Sequence, residues 1–275
     1  MSGSQQISRG SESSTWSTGE NSSAPLNASA PTFAPPQSQT QALETLLGAG
    51  TRRIYITAER EDAGASPDYP TFLKGVRFDP ASNRRWYEDV LPYLSKCTFV
   101  VSSTADVIYS GNIFSSAALP HIYNAVTKME LPKFYWFSGV ALNRHHNPYL
   151  QMCRNLPNLR DLSLTIHTAG LTNQRWAERQ IAALEQKNPE AAKERILLPL
   201  REVVHRYQLD AVFTCGRLQR LRLEYIDSAM TAYFCKVGRP VDVVREVQSY
   251  LEQGFIKRGL QVEVELVRLE EGSRC

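Results

Sequence analysis

In the run Leu156-Pro157-Asn158-Leu159-Arg160-Asp161-Leu162-Ser163-Leu164-Thr165-Ile166, apolar and polar residues alternate. Leu162, Leu164 and Ile166 fall on one face of an extended strand, and Asp161, Ser163 and Thr165 on the other. Before it, Asn147 to Asn155 holds Pro148, suited to a first helical turn, followed by Tyr149, Leu150, Met152 and Cys153. The pattern predicts a unit of helix, turn and strand. It returns 59 residues on, where Leu218, Leu221, Leu223 and Tyr225 take the places of Leu159, Leu162, Leu164 and Ile166. Two fainter copies are expected upstream. One sets Leu131, Phe134 and Trp136 against Leu159, Leu162 and Leu164 at an offset of 28, and the other uses Leu94, Cys97, Phe99 and Val101.

The C-terminal part predicts a further helix and strand. Pro240 opens a segment in which Val244, Val247, Leu251 and Phe255 recur at helical spacing, with Asp242 in the first turn, Lys257 and Arg258 in the last, and Gly259 beyond. Val262, Val264 and Leu266 then alternate with Glu263 and Glu265, as in an edge strand. Arg53 to Thr57 is the expected first strand. Six strands separated by helices imply an α/β fold with a largely parallel sheet, because parallel neighbours need a crossover. The units are leucine-rich-repeat-like and irregular. The offset of 59 is about two units of the 28-residue size, within the usual ~20–29 residues, but the Asn or Cys that closes the common consensus is missing. Residues 170–208 read as a helical insertion, with a solvated helix over Asn173 to Lys187 and a core-packed one over Pro199 to Tyr207.

Composition adds a boundary. The first forty residues hold fifteen Ser or Thr and four Pro, with only Arg9, Glu12 and Glu20 charged. Such a stretch buries too little apolar area to offset its ordering entropy, so 1–40 reads as a disordered tail and 41–275 as a single α/β domain. The tail lacks the features of a secretory signal, which places the protein inside the cell, in cytoplasm or nucleus. No run approaches the ~18 apolar residues of a membrane span. With 31 basic and 28 acidic residues the net charge is +3, too even to drive nucleic-acid binding. The five cysteines are odd in number and widely spaced, and they read as reduced packing thiols.

Catalytic patterns are absent. There is no Gly-x-Gly-x-x-Gly, no Gly-Lys pair and no Gly-x-Ser-x-Gly, and the adjacent pair His145-His146 lacks the spacing of zinc ligands. No cofactor or metal is expected. The candidate interaction surface comprises Tyr135 and Phe137, which alternate with Phe134 and Trp136, together with His167 at the end of the clearest strand and Glu224 on its repeat. Helices on both faces of the sheet would bury all four aromatics of that run. A partner groove would expose Tyr135 and Phe137. Arg217, Arg220 and Arg222 are interleaved with acids and read as a solvated face.

The segment Arg84-Arg85-Trp86-Tyr87-Glu88-Asp89-Val90-Leu91-Pro92-Tyr93-Leu94, followed by Cys97-Thr98-Phe99-Val100-Val101, resembles the filamentous-fungal F-box-like proteins. In that group a helix ending in an alanine-leucine-proline stretch leads through a tyrosine turn to a Thr-Phe strand. The resemblance runs from about Arg52 to Leu223 and takes in the leucine-rich stretch around Leu156. It implies a leucine-patterned fold, and an F-box would imply binding to the adaptor of a cullin-type ubiquitin ligase. The only segment available for an F-box is Gln41 to Gly50, a single short helix. Three functions stay open: a noncatalytic protein-interaction domain, a degenerate F-box-type adaptor, and an enzyme whose site forms only in three dimensions around His167 and Glu224.

Overall fold

The structure is a computed structural model that describes residues 53–58, 70–73, 84–135 and 146–270, all within one unit spanning Gln37–Cys275. The N-terminal tail, the helix expected at Gln41 to Leu47, Trp136 and Phe137 lie outside the described residues. Among those residues eight strands occur: β1 (Arg53–Ile56), β2 (Thr98–Val101), β3 (Lys128–Leu131), β4 (Asp161–His167), β5 (Thr172–Gln174), β6 (Arg195–Leu197), β7 (Arg220–Ile226) and β8 (Glu263–Leu269). Six of them form one sheet in the order β1-β2-β3-β4-β7-β8, and every neighbouring pair is parallel. The α/β class and the parallel sheet follow the sequence pattern.

The 59-residue offset is a register. Leu162 pairs with Leu221 and Leu164 with Leu223 on adjacent strands. The fainter copies are corrected. Met129 and Leu131, not Phe134 and Trp136, stand beside Leu162 and Leu164, and Phe99 aligns with Met129. Pro132 ends β3, since it has no N–H to give to the ladder. Phe134 lies in the turn beyond, fully buried, with its ring centroid 5.9 Å from Tyr149 and 5.6 Å from Tyr207.

The helices are α1 (Leu91–Leu94, preceded by a π-helical turn at Trp86–Val90), α2 (Thr104–Phe114), α3 (Ile122–Ala125), α4 (Pro148–Arg154), α5 (Glu178–Lys187), α6 (Pro189–Ala192), α7 (Leu200–Tyr207), α8 (Ala229–Phe234) and α9 (Pro240–Lys257). Because the sheet advances in one direction, crossovers of one hand bring their helices to one face. Contacts identify it as the apolar face. Phe114 of α2 meets Phe99 of β2 edge-on at 6.0 Å, and Cys153 Sγ of α4 lies 3.8 Å from Met129 Sδ of β3. Leu131, Leu164, Ile166, Leu221 and Leu223 are fully buried in the same cluster as Val203 of α7 and Val244, Val247 and Leu251 of α9.

The turns that lead into the strands repeat as well. Thr127 O accepts from Asp161 N–H at 3.1 Å, Arg160 O from Arg220 N–H at 2.9 Å, and Gln219 O from Glu263 N–H at 2.9 Å. From β3 through β4 and β7 to β8, each strand is thus stapled to the next by the same backbone bond, whatever the length of chain between them. The insertion is less helical than expected. Thr172–Gln174 pairs antiparallel with Arg195–Leu197, so the solvated helix begins only at Glu178.

Cys97, Cys153 and Cys215 are buried, and Cys235 is half-buried. Burial pushes the Cys215 thiol up to about 11 and raises Cys153 well above the ordinary value, with Cys215 adding to the latter. Both stay protonated in the folded chain after they would ionise in the unfolded one. Their contribution to stability is therefore present below pH ~9 and is lost as pH rises toward ~11. At pH 8, alkylation of Cys153 and Cys215 followed by mass spectrometry is expected to track opening of the whole domain, with Cys235 modified first. Modification of Cys153 as fast as Cys235 would contradict this burial.

Candidate functional site

The face of the sheet turned away from the helical core carries the other half of the alternation. Its first row, read across the strands, is Arg53, Thr98, Lys128, Asp161, Arg220 and Glu263, and its second is Tyr55, Val100, Glu130, Ser163, Arg222 and Glu265. Parallel pairing fixes these rows, because two residues along each strand return to the same face. Opposite charges meet directly across neighbouring strands. Lys128 Nζ lies 3.8 Å from Asp161, Arg220 Nε 3.3 Å from Glu263, and Arg222 Nε 3.7 Å from Glu265.

Arg53 behaves differently. It reaches over the whole width of β2 to donate to Glu130 at 3.0 Å, and Val100 on the strand thus bridged is only 3% exposed. Burial works against the Arg53 cation, but Glu130 and Tyr55 outweigh it, so its pKa lies above the ordinary value.

Ser163 sits between Glu130 on one side and Arg222 on the other, and its small side chain leaves a recess. The recess has a volume of about 120 Å³, and Thr98, Lys128, Glu130, Arg222 and Glu265 are among the residues that line it. The arrangement presents both signs of charge within reach of a docked segment. The pairs are part-exposed and worth little individually, so they can exchange partners at small cost.

Of the residues singled out in the sequence, Tyr135 and His167 come together, their ring centroids 5.5 Å apart. His167 ends β4, and its Nδ1 accepts from Ala169 N–H at 3.1 Å, which makes it a turn-forming side chain. Glu224 is fully buried, not displayed. It lies in the third row, where Thr165 Oγ1 donates to it at 2.9 Å and Arg222 Nε approaches to 3.8 Å. Phe137 lies outside the described residues. Ser163, Arg222, Lys128 and Glu130 are the site residues that sequence reasoning missed. Their signal was the polar half of the alternation, of which Arg222 was read as a solvated face and Lys128 and Glu130 fell outside the expected strand.

Among the described residues no group of three His, Cys, Asp or Glu is placed to hold a metal ion, and no helix is long and apolar enough to cross a membrane. No family model matches the chain, and no curated protein or solved structure does either.

Proposed function

We infer that the protein is a noncatalytic, intracellular interaction protein that engages a protein segment of mixed charge through the open face of its parallel sheet. The observation that carries this reading is the recess over Ser163, set among cross-strand pairs of opposite charge on the face opposite the helices. A sheet advancing strand by strand offers an extended surface, which suits a partner chain laid across several strands. The likeness to fungal F-box-like proteins is compatible with this reading; its segment is helical over Trp86–Val90 and Leu91–Leu94 and a strand over Thr98–Val101. The fold does not dictate the activity.

The test is comparative capture from the native extract with three baits: the wild-type chain, Ser163→Trp and Arg222→Glu. The expected result is a reproducible set of proteins retained by the wild type, lost from both variants, and weakened by salt. Thermal unfolding should be nearly unchanged for Ser163→Trp, whose side chain enters open space. Identical sets from all three baits would remove the sheet face as the docking surface.

A further inference from the structure

A second surface lies at the far end of the sheet. The chain leaves β7 through Asp227 and Ser228 into α8, a helix capped by Ser228, whose hydroxyl accepts from Thr231 N–H at 3.3 Å. Thr231 is the buried residue of this helix. Met230 is 72% exposed, Tyr233 66%, and Val237 just beyond the helix 80%. The adjoining strand β6 packs beside this segment, where Arg195 bridges to Cys235 and a Cβ on Gly238 would meet Leu197 Cδ1 at 2.6 Å. One exposed apolar residue is ordinary. Three within the eight residues from Met230 to Val237 form a patch that a folded chain does not usually leave to water. Exposures of this size belong to side chains that project, not to the lining of a groove.

The charges on the segment that carries the patch are basic. From Ser228 to Pro240 the only charged residues are Lys236 and Arg239. On the adjoining segment Lys193 meets Glu190 at 3.4 Å, Arg195 donates to Thr172 Oγ1 at 2.7 Å, and Glu194 is taken by Arg175 at 2.9 Å. Asp227, the nearest acid on the other side, is held 3.4 Å from Arg268. Two lysines lie over rings, Lys236 Nζ at 5.3 Å from the Tyr233 centroid and Lys193 Nζ at 5.6 Å from that of Phe234.

We propose that this patch docks on the surface of an anionic lipid bilayer, with Met230, Tyr233 and Val237 entering the interface and Lys236 and Arg239 meeting lipid phosphates. The occupant has to accept projecting apolar side chains and supply negative charge around them, and an anionic bilayer does both. Tyrosine suits the boundary between headgroups and acyl chains, and lysine stems lie along apolar surface while their amines reach outward. A protein partner would need a preformed pit ringed with carboxylates. The interiors of protein interfaces are also poor in lysine, the residue that covers both rings here.

Flotation of the full chain with vesicles tests the proposal, using phosphatidylcholine alone and phosphatidylcholine mixed with phosphatidylserine. The protein is expected to float with the phosphatidylserine vesicles, to remain behind with phosphatidylcholine alone, and to be released by salt. The triple variant Met230→Ser, Tyr233→Ser, Val237→Ser should weaken partitioning about tenfold or more, and so should Lys236→Glu with Arg239→Glu. Thermal unfolding should be unchanged, because all five side chains are exposed. Ser163→Trp should float like the wild type, which separates this surface from the sheet face. A wild type that ignores phosphatidylserine, or variants that bind as well as it does, overturns the assignment. So does a wild type that ignores vesicles while the same serine substitutions dissolve a dimer or release a captured protein, since the patch is then a protein interface.

Discussion

Gly254→Ala is expected to lower the unfolding free energy by about 2–3 kcal/mol and the melting temperature by roughly 5–10 °C, although alanine in a helix interior normally stabilises. Gly254 lies in α9 against Phe213, and a Cβ built there would stand 2.1 Å from Phe213 Cζ and 2.5 Å from Cε1. The ring has little room to retreat. It packs edge-on against Phe255 at 5.0 Å, lies 5.9 Å from Tyr250, and has the Arg258 guanidinium 4.1 Å above its centroid. The 3₁₀ turn that carries it, Leu209–Thr214, is anchored by the fully buried Leu209 and Val212. The overlap therefore outweighs the ~1 kcal/mol of helix propensity that alanine would add. Urea unfolding checks the sign, and Phe213→Leu in the same chain should restore part of the loss. A Gly254→Ala protein as stable as the wild type would show that the ring moves freely.

The second large effect is at Asp106, where alanine should cost about 3 kcal/mol. Its carboxylate is 4% exposed and accepts two backbone N–H groups, Ala58 at 2.8 Å and Ser103 at 2.9 Å. The Asp106 N–H returns a bond to Ser103 Oγ at 3.1 Å, which completes a capping box at the start of α2. The side chain thus joins the residues just past β1, an edge strand, to the first turn of the helix that follows β2. Removing it strands two donors in a place with little water and withdraws negative charge from a helix N-terminus. Ser103→Ala removes only the cap hydroxyl and should cost ~1 kcal/mol. The ranking of the two variants by thermal unfolding is the check. Equal losses would mean that the tie to Ala58 carries no weight.

How far the alternation could be read depended on length and contrast. β4 and β7 are seven residues each, and their leucines stand apart from Asp161, Ser163, Arg220 and Arg222, so strand, face and mutual register all follow from the pattern. β3 has only Met129 and Leu131 among four residues, and the aromatic run after Pro132 is a louder signal in the wrong place. β5 and β6, three residues each, have no periodicity to detect, and Thr172–Gln174 passes for the start of the helix at Glu178. The helix α2 escaped for a related reason. Ser103 and Asp106 form its start, but its apolar residues are spread around the helix, with Ile108 67% exposed beside buried Val107, Ile113 and Phe114, so no single stripe stands out.

The site shows the opposite failure. Glu224 looks like a displayed acid because it alternates with Leu223 and Tyr225, yet it is fully buried and accepts a hydrogen bond from Thr165, 59 residues away in the chain. A polar position in a strand marks the second face of the sheet without saying whether that face is open. The dent at Ser163 could not be read from one strand at all. It exists because larger residues, Glu130 and Arg222, stand on both sides of a serine.

The backbone staples that join Asp161 to Thr127, Arg220 to Arg160 and Glu263 to Gln219 give this part of the sheet a one-dimensional character. Each layer is fastened to the layer before and the layer after, so opening should begin where a layer has one neighbour and move inward. Amide hydrogen exchange would then form a gradient across the sheet, fastest at the flanking strands and slowest in the middle. Asp106 and Gly254 secure opposite flanks, so losing either should steepen that gradient from its own side and leave the distant one untouched.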